Sequence, residues 1–435
     1  MSAALRTQAV ALYRQGLARI TPEYLLRQAL AVNEAVELTF LDRRERLPLA
    51  AGGRLWLLCI GKAAAPMAAE AHSLLGGRIA GGLVVTKEGF ALPGLPWPVH
   101  ETGHPVPDAR GVAAAQAVEA LLQQVGAEDL VLVMVSGGAS ALLPAPLAGI
   151  TLEEKQRLVQ LMLRTNMDIH EINTVRKAIS RFKGGGLAAL AAPARVVGLY
   201  LSDVSGDNLS SIGSGPTVPE PVDFPAVVLL LQAKGIWEQV PASIRSVLER
   251  GEAPPKVPPT PPVNGLIGTN RHLLRAIREA AEDTGFRPHV NEEPTTGLNA
   301  EALPGLLGRW DALRQAQGGR GGPLCLVSGG ETTVEVTGHG LGGRCQELAA
   351  LAMPRLDACT VFLAAGSDGN DGPTDAAGGV VDRESWQRVQ AEGIPYEALL
   401  ADNDSYHLLE RSGNLIKVPP TRNNVMDVHL FLEQG

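Results

Sequence analysis

Residues 131–144 read VLVMVSGGASALLP, and this stretch decides the fold. Five apolar residues, Val131 to Val135, run straight into Ser136-Gly137-Gly138 and then into a helix-like run. A short apolar run closed by glycines reads as a fully buried strand, and side-chain-free glycines at its end let backbone N–H groups approach a ligand. The helix N-terminus that follows adds a partial positive charge of about half a unit. The junction is therefore built to hold an anion. A related segment, CLVSGGE, spans 325–331, and acidic loops open at Asp203 and Asp368. Several strand ends are thus expected to converge on one phosphorylated or carboxylated ligand.

Working outward, Arg54 to Ile60 is a second buried strand, ending in Gly61-Lys62 and a small-residue helix. Leu83–Thr86, Val99–Thr102 and Val196–Leu201 add strands, while Ala109–Val125, Thr151–Thr165 and His170–Lys183 read as helices. Strands alternating with helices of this length predict right-handed parallel βαβ units, whose ligands bind at the carboxyl edge of the sheet. Residues 3–45 carry apolar positions at helical spacing, with Thr21-Pro22-Glu23 as a helix start, and predict packing helix. Six prolines among residues 251–262 exclude helix and central strand there, and mark the boundary between domains. Beyond it we expect a strand at 265–268, a helix from Asn270 to Thr284, and a strand from His289. A helix over 299–314, a surface turn at 318–322, a strand at Leu324 with a hairpin-like partner TTVEVTG, and a helix from Arg344 follow.

A chain of 435 residues is too long for one ordinary core, so two domains are expected. The hydrophobic content of 45 % is carried by Ala, Leu and Val, and 49 Gly with 31 Pro supply the tight connections that α/β folds use. A net charge of −8 gives no general attraction to nucleic acid or to an anionic membrane surface, so an anion must be bound by local design. Cys59, Cys325, Cys345 and Cys359 lack metal spacing and read as free thiols. No apolar run approaches the ~18 to 20 residues of a membrane span, and no signal-like segment opens the chain, so a cytoplasmic protein is expected.

No G-x-x-x-x-G-K-[ST] segment occurs, so neither SGG turn is a P-loop. Asp203, Asp207 and Asn208 follow one strand, and Asp368, Asp371 and Asp375 another. Carboxylates facing a polyphosphate suit Mg²⁺, although Asp in a glycine-rich turn equally serves as a local backbone cap. Lys62 stands among small apolar neighbours at a strand–helix junction, where an ammonium can neutralise charge on a transferring phosphoryl group. Arg176 and Lys177 on the basic helix, and Arg344 after Gly342-Gly343, are further cations in this set. Gly338 to Gly343 matches G-x-G-x-x-G and invites a dinucleotide reading, but TTVEV before it is polar where a nucleotide fold has a buried strand. His104 and His170 lack a zinc-like cluster, and Ser136 and Ser140 lack a partner base or a G-x-S-x-G elbow.

Taken together, GKAAAPMA at 61, TKEG at 86, GHPVPD at 103, VSGGASALLPAP at 135, INTVRKAISRFKGGGLA at 172, LSDVSGDNLSSIGSGPTVPEP at 201, SGGETTVEVTGHGLGGRCQEL at 328 and GSDGNDGPTDAAGG at 366 resemble the glycerate 2-kinases. These are class II glycerate kinases with a C-terminal MOFRL domain, sometimes labelled hydroxypyruvate reductases, and the resemblance covers roughly residues 5–430. It implies an α/β architecture: a Rossmann-like parallel-sheet domain over 1–250, a linker over 251–263, and a smaller α/β MOFRL domain with a mixed sheet over 264–435. The last forty or so residues are free to pack back on the first domain. It also implies ATP-dependent phosphorylation of D-glycerate at its 2-hydroxyl, with Mg²⁺, in a cleft between the domains; a homodimer is left open.

Carried over by motif, Lys62 and Arg344 are catalytic cations, and Asp203 orients or deprotonates the hydroxyl. Ser136, Gly137, Gly138 and Ser140 form an anion cradle; Asn270, Ser328, Gly329, Gly330 and Glu331 join the substrate- or phosphate-binding candidates. Asp207, Asp368 and Asp371 are the metal candidates. Two departures stand out: Cys345 replaces the Asn usual after the motif arginine, and VPPTRNNVMD from Val418 replaces a GPTGTNVND-like segment, although Thr421, Asn424 and Asp427 still fit. The alternatives are an NAD(P)-dependent hydroxypyruvate reductase and a two-domain sensor that closes on a carboxylate or sugar phosphate.

Overall fold

The computed structural model describes residues 2–251, 253–254, 256–317 and 322–434. The chain divides into a continuous unit, Leu25–Ile267, and a split unit made of Met1–Tyr24 and Gly268–Gly435. The division differs from the expected boundary at 251–263: the strand after the prolines completes the first sheet, and the N-terminal helix belongs with the later residues. The surface turn expected at 318–322 lies, but for Gly322, outside the described residues.

In the continuous unit, β1 (Leu30–Val32), β2 (Ala35–Thr39) and β3 (Arg44–Pro48) form a small antiparallel meander. Helix was expected over all of 3–45; the helices end at Ala18 and Ala29. What overrides the helical spacing is the period-two run Val36, Leu38, Phe40, whose side chains are buried while Glu37 and Thr39 face solvent. The main sheet has the order β6-β5-β4-β7-β8-β9, from β4 (Leu55–Ile60), β5 (Ile79–Lys87), β6 (Val99–Thr102), β7 (Leu130–Val135), β8 (Arg195–Leu201) and β9 (Val263–Gly268). Pairing from β6 through β8 is parallel throughout. All six residues of β4 and of β7 are buried, as a strand covered on both faces requires.

The split unit holds a mixed sheet of order β10-β11-β15-β12-β13-β14, from β10 (Arg287–Leu298), β11 (Leu324–Thr333), β12 (Thr360–Gly366), β13 (Gly378–Asp382), β14 (Leu415–Ile416) and β15 (Asp427–Glu433). Only β10 and β11 pair in parallel; β15 runs antiparallel to both β11 and β12. Pro288 and Pro294 are tolerated in β10 because it is an edge strand. Helix Ser2–Ala18 packs on helix Asn270–Asp283, where a Cβ on Gly16 would meet Ile277 Cγ1, and the Tyr13 hydroxyl donates to the Gly366 carbonyl at 2.6 Å. Asp427–Glu433, near the end of the chain, are part of this sheet. Among the described residues, no helix is long and apolar enough to cross a membrane.

Candidate active site

In the continuous unit, the adjacent strands β4 and β7 end side by side, which fastens two loops together. Ser136 N donates to the Ile60 carbonyl at 3.0 Å, and Lys62 N donates to the Gly137 carbonyl at 2.9 Å. Ser136 is 2 % exposed, and its hydroxyl accepts the Ala63 N–H at 3.0 Å, at the start of helix Ala64–Leu75. That side chain is a structural clamp between the loops. Gly61, at φ +129°, has no room for a Cβ against Ser136.

Glycine at 137 has a different cause. A Cβ there would run into the Asp203 carboxylate, which β8 delivers to the same edge. Burial pushes the Asp203 carboxyl up, against the pull of the Lys62 ammonium. A carboxylate that holds protons more tightly than usual, beside a lysine at a sheet edge, is suited to accept a proton from a substrate hydroxyl. Gly138, at φ +86°, lies against His104, whose imidazole is lowered to about 4 by burial and by Lys62 and Lys87. His104 is therefore neutral at physiological pH. The helix after Gly138 spans only Ala139–Leu142, so the helix-terminus contribution expected at this turn is small. Ser140 accepts from Lys183 Nζ at 2.7 Å, and Asp207 occupies a left-handed turn at φ +55°.

In the split unit, Arg344 begins helix Arg344–Ala352. Its Nε and Nη2 donate to the two carboxylate oxygens of Asp427, at 2.6 and 2.9 Å, and its Nη1 faces Glu331 Oε1 at 3.0 Å. Burial disfavours the guanidinium charge, but the Asp427 hydrogen bonds outweigh it and raise its proton affinity. Asp371 takes the Gln346 N–H at 2.8 Å and so caps this helix; a Cβ on Gly343 would collide with its carboxyl group. Asn270 Nδ2 donates to the carbonyls of Val425 and Asp427 at 2.8 and 2.9 Å, so its amide braces β15. Asp368 Oδ1 accepts the Asn370 N–H at 3.0 Å. Among the described residues no group of three His, Cys, Asp or Glu is placed to hold a metal ion, so the acidic loops do not form a protein-only cage.

One expectation is corrected. The second SGG is not a strand-to-helix turn: Ser328, Gly329 and Gly330 lie inside β11, paired with His429, Val428 and Asp427 of β15. Ser328 is fully buried there, and of the hairpin-like partner Thr332 and Thr333 continue β11 while Val334 to Gly338 are loop. The G-x-G-x-x-G loop, weak as a dinucleotide match because of the polar segment before it, is bonded internally. Thr337 and Gly338 N–H groups donate to Asn403 Oδ1, both at 2.8 Å, His339 N–H to Asp402 at 2.9 Å, and Leu341 N–H to Asp404 at 3.1 Å. The amides that a dinucleotide pyrophosphate would need are already bound to the protein's own side chains. Cys59, Cys325 and Cys345 are buried free thiols, and Cys359 is exposed.

Sequence reasoning passed over Lys155 and Lys183, which stand 3 % and 2 % exposed in the continuous unit. Their helical spacing among charged neighbours signalled only a solvated face.

Residues 8–249 match a domain of unknown function, DUF4147, and residues 324–427 match the MOFRL family. The chain is 38 % identical to a D-glycerate 2-kinase of Thermotoga maritima, over 94 % of this chain and 99 % of that protein. It is 35 % identical to a glycerate kinase of Bos taurus, over 99 % of this chain and 94 % of that one. A crystal structure of a glycerate kinase from Thermotoga maritima superimposes with a TM-score of 0.89, at 34 % identity, covering 99 % of this chain and all of that one. A protein from Pyrococcus horikoshii superimposes with a TM-score of 0.86, at 33 % identity, with 99 % of each chain covered. The chain therefore belongs to the glycerate kinase family, with a MOFRL domain following its parallel-sheet domain.

Proposed function

We propose that this protein is a glycerate 2-kinase that transfers the γ-phosphoryl group of ATP to the 2-hydroxyl of D-glycerate. The observation that carries the site assignment is that Asp203 lies within the electrostatic reach of Lys62 at the carboxyl edge of the parallel sheet, with Gly137 kept free of a Cβ that would displace the carboxylate. In this reading Asp203 accepts the hydroxyl proton as the oxygen attacks, and Lys62 stabilises the charge on the transferring group. Arg344, oriented by Asp427, supplies a second fixed positive charge; Glu331 is the more exposed of its two partners and the one a phosphoryl oxygen would replace.

Mg²⁺ commonly keeps several waters and relies on the phosphates with one or two carboxylates, so the missing cage does not conflict with it. Asp368 is the candidate best suited to join such a water shell, because Asp371 is committed to the helix cap. When bound, the ion would neutralise phosphate charge. The reductase alternative is unsupported: the relatives are kinases, and the glycine loop is internally satisfied. Incubation with D-glycerate and ATP should release ADP with no change in nicotinamide absorbance, and phosphorus NMR should identify 2-phosphoglycerate. A 3-phosphoglycerate product, or no ADP, would overturn this reading.

A further inference from the structure

The continuous unit contains a cavity of about 400 Å³ whose wall is mostly made of residues with no role in the scheme above. Three cations line it: Lys155 from helix Leu152–Leu163, Arg176 from helix Ile169–Ala178, and Lys183 from the turn that follows. No carboxylate is part of the lining. Lys183 donates to the Ser140 carbonyl at 3.1 Å and hydroxyl at 2.7 Å, both neutral acceptors. Among the described residues, the side chains of Lys155 and Arg176 have no hydrogen-bonding or ion-pair partner. Lys177, next in the chain to Arg176, shows the contrast: it meets Glu220 at 2.6 Å.

Burying unpaired cations together is unfavourable, since each loses hydration and repels the others. Burial, with Arg176 adding to it, lowers Lys155 to about 8; Lys183 is pulled down by burial and then by Lys155 and Arg176. The cluster makes physical sense as the complement of a polyanion. D-glycerate carries a single carboxylate, too little charge for three cations, whereas the phosphate tail of a nucleoside triphosphate carries several. The cavity also has an apolar lip, where Val106 and Leu163 are 59 % and 64 % exposed, a surface suited to a base. Its phosphate-binding end adjoins the catalytic lysine: a Cβ on Gly138 would stand 3.4 Å from Lys62 Cγ.

We propose that this cavity seats the phosphoryl-donor nucleotide, with its phosphates on Lys155, Arg176 and Lys183 and its base against Val106 and Leu163. The identity of the nucleotide as donor rests on the kinase reading; the affinity for polyphosphate rests on the cavity alone.

Calorimetric titration of the full-length protein with ADP, tripolyphosphate and D-glycerate, repeated for Lys155→Met and Arg176→Gln, tests the proposal. Each variant should bind ADP and tripolyphosphate about ten-fold or more weakly, the scale of one lost hydrogen bond to a charged group, with glycerate binding unchanged. Lys155→Met without ligand should also melt above wild type, because an uncompensated charge has been removed. Unchanged ADP affinity in a folded variant would overturn the proposal, as would weakened glycerate binding with ADP unaffected. If Lys155→Met does not fold, the half-buried Arg176→Gln decides alone. Wild-type glycerate phosphorylation with unaltered ADP binding in the variants removes the cavity and keeps the kinase. Weakened polyphosphate binding without glycerate turnover in wild type removes the kinase and keeps the cavity.

Discussion

Arg344 places Nε and Nη2 on the two oxygens of Asp427, a carboxylate with no exposed surface, while Nη1 faces Glu331, 40 % exposed at its side chain. The two acids surround one guanidinium, but they differ in energetic weight. Asp427→Asn leaves the half-buried arginine without its buried counter-charge and should cost about 3 kcal/mol of stability. Glu331→Gln removes a partly solvated pair and should cost about 1 kcal/mol or less. Chemical denaturation of both variants checks the ordering; equal losses would refute it.

The Lys62 ammonium has no hydrogen-bonding or ion-pair partner among the described residues, so the side chain contributes little to the fold. Lys62→Ala should keep a wild-type melting curve and lose about 10²-fold or more in kcat with glycerate and ATP. Near-normal kcat would remove Lys62 from the mechanism.

The parallel sheet was legible because β4 and β7 are all-apolar runs ending in glycine, a pattern that requires burial on both faces. Lys62, Gly137 and Asp203 were legible for the same reason, since each follows such a strand. The second SGG misled because a glycine pair reads the same in a turn and in a strand. Pairing with β15, nearly a hundred residues later in the chain, and for Gly330 also with Thr295 of β10, keeps these glycines extended. Asp371 looked like a ligand because its role as a cap depends on Gly343 approaching it from elsewhere in the chain.

Ser136 separates a structural from a chemical role. Its hydroxyl accepts the Ala63 N–H, so Ser136→Ala should lower stability by about 1 kcal/mol, as the loss of a helix cap does. Its loss of kcat should be far smaller than that of Lys62→Ala. A steady-state comparison of the two variants checks this, and a larger effect at Ser136 would make its hydroxyl a substrate ligand.

Burial pushes the Asp371 carboxyl up to about 7, opposed by the Gln346 N–H and reinforced by Asp427, from an ordinary value of 3.8. Between those values the folded protein holds a proton that the unfolded chain has lost. Stability from this group is therefore complete at low pH, falls as pH rises toward the folded value, and stays low above it. Asp371→Asn is neutral throughout and still offers an oxygen to the helix amides. Its melting temperature relative to wild type should be higher at about pH 8 than at about pH 5, a sign that follows from linkage. A difference independent of pH would contradict the assignment.

The interleaving of the two units has a consequence for biosynthesis. Leu25–Ile267 is uninterrupted in sequence, so it can reach its native state while the ribosome is still translating the remainder. Helix Ser2–Ala18 is made before that segment, yet its packing partner, Asn270–Asp283, is synthesised only after it. A helix translated before the continuous unit thus docks only after it, and in that interval it lacks its packing partner.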